Sequence, residues 1–151
     1  RNATAVMTTE DTPFEVGKAQ IIFRSQKSDV GVIATGHLLY KALLAAKKLT
    51  EEGKGVIVMN LSTIKPLDEH AIIKLAHETR AIVTVEEHQV AGGMGGAVAE
   101  CLAAHFPVPI EFIGVKDKFG QTGTADELIE LYELGEKHIY AAAKRVMLRK
   151  Y

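Results

Sequence analysis

The sequence predicts a three-layer α/β/α domain around a five-stranded mixed sheet, its first strand antiparallel to the other four. Three observations lead there. From residue 36 onward, short apolar runs alternate with amphipathic stretches, the pattern of parallel strands joined by right-handed helical crossovers. GVIVMNL (55–61) is apolar almost throughout, as a strand covered on both faces must be. Only Gln26-Lys27-Ser28 separates the first two β-rich runs, a link that permits a hairpin and forbids a parallel crossover.

AQIIFRS (19–25) and DVGVIATG (29–36) are the first two strands. His37 to Glu52 carries Leu39, Ala42, Leu43, Ala46 and Leu49 on one helical stripe, and Gly53 stands where a helix stops. After the strand 55–61, Asp68 is placed to cap HAIIKLAHETR, with Leu67 positioned to staple against Ile72. AIVTVEE (81–87) is a strand and GGAVAECLAAHF a helix with Val98, Cys101, Leu102 and Phe106 on its apolar face. PIEFIGV (109–115) is the last strand. Thr124 and Glu127 form a capping box opening DELIELYEL, and GEKHIYAAAKRVMLRK closes the chain as an amphipathic helix.

At 151 residues the chain is long enough for one core without disulfides, and its single cysteine, Cys101, has no internal partner and reads as core filling. Its 18 basic and 19 acidic residues offer no basic surface for nucleic acid, and no apolar run reaches membrane-spanning length. A cytoplasmic setting is the default. Residues 1–13 have no apolar signal-like segment and read as a linker or the tail of a preceding domain, leaving 14–151 as the folded unit.

EEHQVAGGMGGAVAE (86–100) raises the functional question. Ligands in such sheets bind beyond the carboxyl ends of the parallel strands, where Glu86, Glu87 and His88 end one strand, His37 follows another, and Ser62-Thr63 and Lys116-Asp117 follow two more. The glycines Gly92, Gly93, Gly95 and Gly96 lead into a helix N-terminus, a natural anion site. Yet the dinucleotide fingerprint fails, because counting from Gly93 its last position is Val98, and no Walker lysine follows. Adjacent strand residues face opposite ways, so Glu86-Glu87-His88 is no metal site by spacing, and His37 has no serine elbow to serve. No catalytic, cofactor-binding or metal-ligating residue is assigned. His37, Glu86, Glu87, His88, Gly92, Gly93, Gly95 and Gly96 stand as a candidate subunit interface or anion site, with tight helix–sheet packing as the plain alternative.

Four segments in order, FEVGKAQIIFRSQKSDVGVIATGHLLYKALLAAKKL, VIVMNLSTIKPLDE, AIVTVEEHQVAGGMGGAVAE and IGVKDKFGQTGTADELIELY, resemble the C-terminal domain of the transketolase family of thiamin-diphosphate enzymes. The resemblance covers about residues 14 to 148, with one departure at Gln121-Thr122-Gly123, where an acidic residue followed by Ser-Gly is expected. It implies a homodimeric enzyme that moves a two-carbon ketol unit between sugar phosphates, its thiamin diphosphate and magnesium held by diphosphate-binding and pyrimidine-binding domains that precede this one. This domain would bind neither. Two alternatives stand beside that expectation: a free-standing regulatory module for a small anionic metabolite, and the equivalent domain of a 1-deoxyxylulose-5-phosphate synthase or 2-oxoacid dehydrogenase relative.

Overall fold

A computed structural model describes residues 5–150. The strands are β1 (Gln20–Arg24), β2 (Val30–Ala34), β3 (Val56–Asn60), β4 (Ile82–Gln89) and β5 (Ile110–Val115). The helices are α1 (Leu38–Glu51), α2 (Glu69–Thr79), α3 (Met94–His105), α4 (Ala125–Leu131) and α5 (Glu136–Met147). They form one mixed sheet in the order β1-β3-β2-β4-β5, with β1 antiparallel and the other four parallel, as the alternation predicts. Among the described residues no helix is long and apolar enough to cross a membrane.

The core is split by the sheet. Val32, Val58 and Val83 point to one side, where Leu39, Ala46 and Leu49 of α1 and Ile139, Ala142 and Val146 of α5 cover them. Ile33, Ile57 and Ile82 point to the other, against Ile72 and Leu75 of α2 and Val98, Cys101 and Leu102 of α3. Alternate residues of a strand face opposite ways, so two-sided cover demands the continuous apolar runs seen in the sequence.

The first two strands do not form the hairpin that their short link permits. β3 lies between them, and β1 pairs with β3. The link steps over the start of β3: the Asp29 and Val30 amides both donate to the Gly55 carbonyl, and the Gly55 amide donates to the Asp29 carboxylate. A Cβ at Gly55 would lie 2.3 Å from the Lys27 carbonyl carbon, so only glycine lets the two backbones cross there.

Local signals hold where the chain is its own partner. Asp68 caps α2 by accepting from the Ala71 amide, and Leu67 packs into the cluster that contains Ile72. Thr124 and Glu127 make the reciprocal capping box of α4, whose Thr124 amide and hydroxyl hold the Glu127 carboxyl below its ordinary pKa. That helix stops at Leu131 rather than running to 134, because Glu133 turns to a φ of 60° and sends Leu134 into the core.

Arg24 of the edge strand reaches Glu78 of α2, and chiefly through this hydrogen bond it holds the Glu78 carboxyl below its ordinary value of 4.5. A depressed carboxylate contributes stability above its unfolded pKa and loses it as the pH falls through the folded value. Glu78→Gln is therefore expected to cost up to about 1 kcal/mol at pH 7 and to flatten the acid side of a stability–pH curve below 4.5, as read by urea titration.

Candidate functional site

The connection from β2 runs through α1 to one side of the sheet, and that from β4 runs through α3 to the other. Adjacent strands whose crossovers diverge leave a crevice at their carboxyl ends, the usual ligand position in open α/β sheets. Here that crevice is a cleft of about 320 Å³. His37, Glu86, Glu87, His88, Gly92 and Gly93 line it, joined by Thr35, Gly36, Ile64 and Met94.

Glu86 and Glu87 fulfil the expected alternation. Glu86 turns inward and is 2 % exposed, the only buried acidic residue among those described. Its carboxylate accepts from the amides of Met94 at 2.7 Å and Gly95 at 2.8 Å, closing the N-terminus of α3. Both bonds are charge-assisted and the helix dipole favours the negative charge. An internal carboxylate thus takes two of the helix N-terminal donors that an outside anion would use. Glu87 turns outward and pairs with His37, which sits at the N-cap of α1 without capping it through its side chain. As an exposed pair it contributes little, and Glu87→Gln is expected to shift stability by less than about 1 kcal/mol in a urea melt.

The glycines divide by role. Gly92, at a φ of 73°, makes the turn, and Gly93 and Gly95 admit the Glu86 side chain, which lies 2.3 Å and 3.0 Å from where their Cβ atoms would sit. Gly96 has nothing nearer than the Val90 carbonyl oxygen at 3.6 Å. Across the sheet, Gly114 leaves space for Val90 and the His88 carbonyl, where the pairing of β4 with β5 shifts register.

Not every carboxyl-edge residue joins the cleft. Thr63 accepts from the Gly17 amide, Ser62 accepts from Asn60, and Lys116 pairs with Glu133 at 3.8 Å on another part of the surface. Gln89, which the sequence does not single out, ties the loop after β5 to the end of β4 by accepting from the Asp117 amide and donating to the Lys118 carbonyl. That loop presents Phe119 at 95 % exposure, while its carbonyl accepts from Tyr132. Its apolar character in a turn-rich loop is the signal that would have found it. Cys101 is 6 % exposed on the sheet-facing side of α3, and burial pushes its thiol pKa up, the reverse of what a nucleophile needs.

These residues do not fit thiamin diphosphate. A buried carboxylate is what its aminopyrimidine would require, and Glu86 is already committed to the α3 amides. The fold and cleft define an α/β domain in whose strand-end crevice one of its own carboxylates caps the N-terminus of α3. Residues 17–139 match the family described as transketolase, C-terminal domain, and the chain belongs to it. It is 43 % identical over 142 residues to a 6-deoxy-6-sulfo-D-fructose transketolase subunit of a Clostridium species, covering 94 % of this chain and 44 % of that subunit. It is 38 % identical over 138 residues to an apulose-4-phosphate transketolase subunit of Phocaeicola vulgatus, covering 91 % of this chain and 43 % of that one. Among solved structures, a split-gene transketolase described as an inactive β4 tetramer superposes with a TM-score of 0.94 at 36 % identity, over all of this chain and 49 % of that one. The chain thus spans a little under half the length of these relatives.

Proposed function

We propose that this chain is the non-catalytic C-terminal domain of a transketolase-type enzyme that transfers a two-carbon ketol unit between sugar phosphates. Its carboxyl edge seats the preceding diphosphate-binding and pyrimidine-binding domains and contributes to assembly of the dimeric enzyme. The observation that carries this reading is Glu86: with its carboxylate on the Met94 and Gly95 amides, two of the helix N-terminal donors that an outside anion would use are already taken. The remaining surface suits docking. The His37–Glu87 pair supplies polar anchors, Gly92 lets a backbone approach, and Ile64 and Phe119 are exposed apolar groups at the same edge. The same arrangement favours docking over the anion-binding regulatory module. The share of the relatives' length that lies outside this chain supplies the occupant.

The reading predicts that Phe119→Ser leaves the fold unchanged while weakening association with the preceding half of the enzyme about tenfold, the cost of losing an exposed aromatic anchor. Sedimentation of the two pieces mixed at graded concentrations measures it. Unchanged association in both Phe119→Ser and Glu87→Lys would place the docking surface elsewhere.

A further inference from the structure

Away from the cleft, on the face of the sheet covered by α2 and α3, a ring nitrogen of His105, the Cys101 sulfur and a Glu69 carboxylate oxygen lie within 4.8 Å of one another. Two elements converge to place them. Cys101 and His105 are four residues apart on α3 and share a face, while Glu69 opens the first turn of α2. The imidazole is already oriented: His105 Nδ1 stands 2.9 Å from the Cys101 carbonyl oxygen, and in the tautomer that donates this bond the lone pair is on Nε2. A backbone acceptor on one ring nitrogen orients a metal-binding histidine in the same way when the metal takes the other. Cys101 is 6 % exposed, while Glu69 and His105 beside it are exposed.

We propose that Glu69, Cys101 and His105 form a binding site for one divalent transition-metal ion of the zinc class, with water in the fourth position. The donor types decide the class. A thiolate and an imidazole exclude magnesium and calcium, which take oxygen ligands, and a carboxylate with one sulfur and one nitrogen suits tetrahedral Zn²⁺ or Co²⁺. Metal–ligand bonds of about 2.0–2.3 Å require the three atoms to close to within about 4 Å of each other, a rotamer adjustment within reach of two exposed side chains. The ligands serve no part of the docking surface, so the site stands or falls independently of the proposed function.

The test is a Co²⁺ titration of the chelator-stripped chain. The expected result is a thiolate-to-cobalt charge-transfer absorption that saturates at one equivalent and disappears on adding Zn²⁺. Cys101→Ser should abolish the band, and Glu69→Gln and His105→Gln should each weaken binding about tenfold or more, with far-ultraviolet circular dichroism unchanged. The two exposed positions keep the test decisive even if the buried serine variant folds poorly. A folded wild-type chain with no thiolate band overturns the site. So does a band whose affinity is the same in both the Glu69 and His105 variants.

Discussion

Glu86→Ala is expected to lose about 3 kcal/mol or more of folding stability, a large share of what a domain of this size possesses. The cost has two physical parts. The Met94 and Gly95 amides, at a buried helix N-terminus, lose their only side-chain acceptor, and each unsatisfied amide costs about 1–3 kcal/mol. The truncation also leaves a void where the side chain threaded past Gly93, Gly95 and Gly114. Glu86→Gln should fall between, since an amide oxygen still accepts but the charge opposite the helix dipole is gone. Urea unfolding reads both variants as lower midpoints at constant slope. An unchanged midpoint for Glu86→Ala would mean that the carboxylate does not close α3.

Gly95→Val is the second large effect, expected at about 3 kcal/mol through overpacking. A Cβ there would sit 2.7 Å from the Thr84 hydroxyl oxygen, 2.9 Å from the Phe112 ring and 3.0 Å from a Glu86 carboxylate oxygen. None of the three gives way cheaply: Thr84 is fully buried, Phe112 is in β5 and Glu86 is pinned by two hydrogen bonds. One position along, Gly96→Ala meets nothing closer than 3.6 Å and gains helix propensity, so it should be neutral or stabilising by up to about 1 kcal/mol. The opposite signs at neighbouring glycines of one helix separate close contact from general intolerance. Equal effects at the two positions would remove the packing argument.

What the sequence shows and what it conceals follow from the range of the interactions. The capping box at Thr124, the Asp68 cap and the apolar runs of β2 to β4 are written within a few residues of chain, and all appear in the structure. The neighbour of β1 is not local. It depends on Gly55 passing under Lys27, a contact between residues whose roles look unrelated along the chain, so the short link suggests a hairpin that β3 in fact occupies. The candidate cleft was legible as a group of residues, because carboxyl-end loops in such a sheet must share an edge, and the cleft gathers His37, Glu86, Glu87 and His88. The division of labour inside it was not. Alternation along β4 separates Glu86 from Glu87, but that the inward carboxylate caps the next helix becomes visible only when α3 is docked on the sheet. Phe119 escaped for a different reason: a single aromatic in a polar loop carries no periodicity.

The proposed role as a non-catalytic C-terminal domain makes ketol transfer depend on the preceding half of the enzyme. The most direct measurement is ketol transfer from a ketose phosphate to an aldose phosphate, assayed with thiamin diphosphate and magnesium for the chain alone, for the preceding half of the enzyme alone, and for the two together. No turnover is expected from the chain alone, and turnover on recombination should rise with chain concentration to a saturating level. Magnesium-dependent turnover by these 151 residues unaided would contradict it, as would a preceding half that is equally active with and without them.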